Sequence, residues 1–120
     1  MGPVVEKGTR MKLIEVYIPP EALNELRTLL RSRGIEELVA SEVALGVDRS
    51  DLLRWDSRGQ DFVPQIKVEL AVADEQANST AQGIFDAVDT RRATAPVQII
   101  IGPLDDVIRI ETGQHGSAAL

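Results

Sequence analysis

The sequence predicts an α+β fold in which two helices cover one face of a four-stranded antiparallel sheet. Three observations predict it. Four segments are rich in apolar and β-branched residues. Two others carry apolar residues at helical spacing. They run strand–helix–strand twice, with a long polar stretch between the halves.

Residues 12–18 (Lys-Leu-Ile-Glu-Val-Tyr-Ile) form the first predicted strand, ended by Pro19 and Pro20. Pro20 suits the first turn of a helix, where a missing N–H costs nothing. Leu23, Leu26, Leu29 and Leu30 make one apolar stripe. Arg27, Arg31 and Arg33 come late in that helix, where cations oppose the dipole favourably, and Gly34 is the expected stop. Ile35–Leu45 is predicted as the second strand. Gly46–Asp61 breaks every period and is longer than a hairpin needs, which points to function or disorder. In the third strand, Phe62–Val72, Ile66, Val68, Leu70 and Val72 share one face; Gln65, Lys67 and Glu69 share the other. Asp74 or Glu75 opens the second helix, with Ala77, Ala81, Ile84, Phe85 and Val88 on one side. Residues 90–96 read as a loop, Val97–Ile101 as the fourth strand, Gly102-Pro103 as a turn, and Val107–Glu111 as a short fifth strand. This order, βαβ–loop–βαβ, is the split βαβ or ferredoxin-like arrangement. It leaves one sheet face without helices, and self-association is the economical cover.

A chain of 120 residues is expected to be one domain. We place it at 11–120, with 1–10 as a disordered leader, native or appended. The leader contains Gly2, Pro3 and Gly8 and no long apolar run, so it reads as neither a signal peptide nor a membrane span. The net charge of −6 opposes binding to nucleic acid or to an anionic membrane surface. With no cysteine there is no disulfide, thiolate metal site or cysteine nucleophile, which fits a cytoplasmic location.

Catalytic constellations are not found. The single histidine, His115, reads as a solvated tail residue with no metal ligands clustered near it. Asp105 and Asp106 read as turn residues after Gly102-Pro103. There is no glycine-rich phosphate loop of the usual types. Arg91 and Arg92 have two readings: a bidentate clamp for phosphate, or a charged helix C-terminus favoured by the dipole. Trp55, between Arg54 and Arg58, reads as an anchor for a partner or as a residue that tucks back to hold its own loop.

The segment Val107-Ile108-Arg109-Ile110-Glu111-Thr112-Gly113, followed by Ala118-Ala119-Leu120, resembles the C-terminus of PII signalling proteins. So does the start, Met11-Lys12-Leu13-Ile14-Glu15. Gly34-Ile35 and Ser41-Glu42-Val43 fall where that family has Gly-Ile and Thr-Glu-Val. Phe62-Val63-Pro64-Gln65-Ile66-Lys67-Val68-Glu69 is similar to its Phe-Leu-Pro-Lys-Val-Lys-Ile-Glu strand. The resemblance runs in one order through residues 11–120.

It implies a homotrimer with sheets facing inward and adenine nucleotides in the clefts between subunits. It also implies a non-enzymatic regulator that acts on a target protein, a transporter or an enzyme, through its T-loop, Gly46–Asp61. The 89–98 region corresponds to the B-loop. Nucleotide-binding positions under this resemblance are Gly46, Glu69, Arg91, Arg92, Gln98 and Arg109; Arg49, Arg54, Trp55 and Arg58 supply the loop that meets a partner or an anion. Several family features are missing. Gln98 stands where the phosphate-binding lysine falls, Glu111 replaces a second arginine, and Gln65 replaces a lysine tied to phosphate and 2-oxoglutarate. The T-loop lacks tyrosine, which excludes uridylylation there. Fewer cations mean less charge for a triphosphate, so ADP or AMP is expected over ATP, with no metal. The resemblance leaves the second effector open between 2-oxoglutarate, none and, as in the carboxysome-associated members, bicarbonate. The candidate holders of bicarbonate are Arg49, Arg54 and Arg58.

Overall fold

The computed structural model describes residues 10–46 and 62–120. Four strands, β1 (Met11–Ile18), β2 (Val39–Gly46), β3 (Phe62–Ala73) and β4 (Gln98–Leu104), form one sheet in the order β2-β3-β1-β4. All three neighbouring pairs are antiparallel. Helices α1 (Leu23–Ser32) and α2 (Asp74–Ala87) complete the ferredoxin-like fold.

Strand periodicity places the core. Ile14, Val16 and Ile18 of β1 and Ile66, Val68, Leu70 and Val72 of β3 point to one face and cluster with Leu26, Leu30, Ala77 and Ile84 of the helices. Each fully buried leucine or isoleucine here contributes about 1.5–3 kcal/mol relative to leaving it in water. Pro20 opens a single 3-10 turn (Pro20–Ala22) that runs into α1.

Gly34 ends α1 in the left-handed region, φ +78°. Its N–H donates to the Arg31 carbonyl (3.0 Å), and the Ile35 N–H donates to the Leu30 carbonyl (2.9 Å). These are the two bonds of a Schellman cap, so Ile35 belongs to the helix end and packs on the core. The second strand therefore starts at Val39, not Ile35.

Three further expectations change. Gly102 and Pro103 do not turn; they lie inside β4, an edge strand, where a proline's missing N–H is tolerated. No fifth strand spans Val107–Glu111. Ile108 makes only an isolated bridge to His115, and the chain doubles back through a turn closed by Gly113 N–H to the Arg109 carbonyl, 2.8 Å. Phe85 is 73% exposed, because it sits one residue round the helix from buried Ile84; Thr80 and Gly83 take the buried positions instead.

The second sheet face is different. Leu13, Glu15 and Tyr17 of β1 stand opposite Ala71, Glu69 and Lys67 of β3 and opposite Gly102, Ile100 and Gln98 of β4. Lys67 lies 3.9 Å from Glu15 and 3.8 Å from Glu69. No helix among the described residues covers these positions. Among the described residues, no helix is long and apolar enough to cross a membrane.

Candidate functional site

Arg109 reaches its position because residues 107–116 fold as a tight hairpin. The Arg109 N–H donates to the Gln114 carbonyl (2.8 Å), and the Gly116 N–H donates to the Val107 carbonyl (3.1 Å). Asp106 pins the base: its Oδ1 accepts from the Val107 N–H at 2.9 Å and the Gly116 N–H at 2.8 Å. Asp106 thus reaches a residue ten positions on, a larger role than the turn expected of it. His115 is not a solvated tail residue; its Nδ1 is buried and lies 3.9 Å from Asp106 Oδ2.

The Arg109 guanidinium then has five contacts. Nε and Nη2 donate to the Ala119 carbonyl at 3.2 and 3.0 Å. Nη2 also donates to both oxygens of Glu37 at 2.8 Å, and Nη1 to Glu111 at 3.2 Å. These carboxylates, Glu37 first, hold the Arg109 pKa above its ordinary value. Glu111 is held below its own by a backbone hydrogen bond and then by Arg109.

Arg109 is one wall of a cleft of about 960 Å³. Val39, Glu69 and Ala71 line it from the sheet, Gly34 and Glu37 from the segment after α1, and Leu120 from the tail. The lining mixes apolar side chains with five charged ones, Arg33, Glu36, Glu37, Glu69 and Arg109, three of them acidic.

Arg91 and Arg92 lie elsewhere, near the 3-10 turn before α1, beside Glu21 and Glu25. Arg91 is already forked onto Asp89, with Nε to Oδ1 at 3.0 Å and Nη2 to Oδ2 at 2.9 Å. Among the described residues Arg92 has no ion pair; it lines a second hollow of about 300 Å³ with Pro64, Gln65 and Thr94. Gln65 is 2% exposed, and its Nε2 donates to the Pro96 carbonyl at 3.1 Å, which ties the 88–97 loop to β3. Gln98 sits on the edge strand opposite Tyr17. Gly46 ends β2 opposite Phe62, where a Cβ would come within 3.3 Å of the Phe62 ring. Arg49, Arg54, Trp55 and Arg58 lie outside the described residues. One chain thus joins Glu69 with Arg109, and separately groups Arg91 with Arg92, but does not bring the two groups together.

Comparison with known proteins decides the family. Residues 11–114 match the model described as nitrogen regulatory protein P-II. The nitrogen regulatory protein P-II of Rhizobium meliloti is 34% identical over 114 residues, covering 92% of this chain and all of the relative. The chain belongs to the P-II family. Nitrogen regulatory protein GlnK of Escherichia coli is also 34% identical, over 117 residues with the same coverage. A solved PII of Arabidopsis thaliana bound to citrate superposes with a TM-score of 0.73 at 25% identity, covering 92% of both chains. P-II proteins are regulatory signalling proteins, not enzymes.

Within this P-II chain, sequence reasoning missed Glu37 and the reach of Asp106. Glu37 is separated from Arg109 by 72 positions, so no local pattern connects them. The available signal was two adjacent carboxylates, Glu36-Glu37, directly after a helix cap.

Proposed function

We propose that this P-II protein is a cytoplasmic homotrimeric sensor that binds an adenine nucleotide between subunits and regulates a target protein through residues 46–61. ADP or AMP is preferred to ATP. The observation that carries the reading is the separation of the two half-sites. The Arg109 cleft is lined by β3 from Glu69 to Ala73, and the Arg92 hollow meets β3 at Val63–Gln65. The four steps from Gln65 to Glu69 span about 13 Å at roughly 3.3 Å per residue. Different patches of one chain meet only across a head-to-tail interface, which closes into a ring when the rotation allows. The helix-free sheet face, with Ile100 44% exposed, supplies apolar surface for that contact.

Scarcity of free cations supports the smaller nucleotides. Arg91 is paired with Asp89, Arg109 faces two carboxylates, and Gln98 and Gln65 are neutral. A small carboxylate such as bicarbonate is the proposed second effector, held by Arg49, Arg54 or Arg58; the citrate on the Arabidopsis relative supports a carboxylate ligand class.

Sedimentation equilibrium combined with calorimetry tests the reading. A trimer that binds ADP or AMP more tightly than ATP is the expected result, with bicarbonate changing the affinity. A monomer at working concentration, or ATP bound far more tightly than ADP, overturns it.

A further inference from the structure

The partners of Arg109 are held very unequally. The Ala119 carbonyl takes two of its hydrogen bonds through the chain's own tail and fixes the guanidinium, whose side chain is only 27% exposed. Both Glu37 oxygens accept from the one nitrogen Nη2, yet the Glu37 side chain is 76% exposed. Glu111 is comparably exposed. An exposed carboxylate loses little by returning to water, because such pairs contribute only about 0–1 kcal/mol. The Nη2 group that Glu37 occupies is a charged N–H donor, and a phosphate oxygen can accept from it in the carboxylate's place.

We propose that Glu37 is a built-in competitor for the anion position on Arg109, and that it sets the cleft's selectivity against highly charged ligands. This rests on the nucleotide reading above and adds its specificity determinant. One arginine against Glu37 and Glu111 makes a local formal charge of −1 (1 − 2). Glu69 lines the same cleft. A phosphate must first displace Glu37. The displaced carboxylate remains tethered nearby and repels the ligand in proportion to the ligand's charge. The penalty therefore grows from adenosine, where it is absent, through AMP and ADP to ATP.

The test uses the full chain as wild type, E37Q and E36Q. Glu36 lines the same cleft without bonding Arg109, so E36Q reports the general loss of a charge. Inorganic pyrophosphate is titrated while the Arg109 Nε–H resonance is followed, and calorimetry measures adenosine, AMP, ADP and ATP. E37Q is expected to bind pyrophosphate roughly two- to fivefold more tightly than wild type, as loss of an exposed ion pair allows. E36Q should gain less. ATP should gain more than AMP, and adenosine should not change. Equal pyrophosphate affinity in wild type and E37Q, an equal gain in E36Q, or no movement of the Arg109 resonance in either protein overturns the proposal. The two readings separate cleanly. A pyrophosphate gain in E37Q with no nucleotide or adenosine bound leaves the competitor standing and removes the nucleotide reading. ADP or AMP bound equally by wild type and E37Q does the reverse.

Discussion

Arg109 and Arg91 both hold carboxylates, but the two sites are built on different scales. Arg91 pairs with Asp89, two residues away, on the surface after α2. Its partner and its own backbone N–H lie within one turn, and the arrangement needs nothing from the rest of the fold. Arg109 instead draws together the segment after α1, through Glu37, and the C-terminal tail, through Ala119. The first pair is local chemistry on a surface. The second is a tertiary joint that forms a cleft wall. A charged residue at a joint couples the segment after α1 to the tail, whereas a local pair settles only its own loop.

Removing the joint should have the largest effect. Arg109→Ala leaves the Ala119 carbonyl without its partners and Glu37 without its counter-ion. Two charge-assisted hydrogen bonds to the tail disappear at once, so urea unfolding should show a larger loss of stability than any other substitution at this joint. Hydrogen exchange should accelerate at Gly116 and along the tail. Arg109→Lys should recover only part, since an ammonium cannot reproduce the fork. If Arg109→Ala leaves tail exchange unchanged, the joint does not hold the tail and the contrast with Arg91 disappears.

Asp106→Ala probes the same joint from beneath. It strips an acceptor from the Val107 and Gly116 N–H groups while leaving Arg109 in place. About 1 kcal/mol is expected, in the range for hydrogen bonds that lose one partner. Arg109's ligands should loosen as a secondary effect. Asp106→Asn, which keeps a carbonyl acceptor, should cost less. Thermal unfolding ranks the three proteins.

The contrast between local and tertiary also explains what the sequence disclosed. Strand and helix positions followed from periodicity because Ile14, Val16 and Ile18, or Leu26 and Leu30, report burial directly through their spacing. Pro20 and Gly34 marked the ends of the first helix by backbone chemistry alone. Errors came where tertiary geometry overrode a local cue. Gly102-Pro103 carries a turn signature, yet the edge position of β4 absorbs it. Ile35 is β-branched, but the Schellman cap claims it. Phe85 satisfies apolarity but misses the buried arc by one residue. For the candidate site, Arg109 stood out through resemblance, whereas Glu37 became visible only when the chain was folded, because the pair spans 72 positions. The burial of Gln65 under the 88–97 loop belongs to the same class.

The smallest effect belongs to the local pair, and its signature is a titration. Asp89 is lowered from an ordinary 3.8 to about 2, first by the side-chain hydrogen bonds from Arg91, then by the Arg91 backbone N–H, with the charges of Arg91 and Arg92 adding less. A folded-state pKa below the unfolded one means that the pair favours the folded state above the ordinary value. That contribution disappears as pH falls through about 2. Neutral-pH stability should therefore change little in Arg91→Ala, as for surface substitutions generally. The Asp89 carboxyl, followed by carbon NMR, should titrate near 2 in wild type and return toward its ordinary range in Arg91→Ala. Added salt should raise the wild-type midpoint only modestly, because contact hydrogen bonds cause most of the shift and salt screens mainly the longer-range charge. A wild-type midpoint already in the ordinary range would mean that Arg91 is not held, leaving its fork open to a phosphate and making the two arginine sites alike.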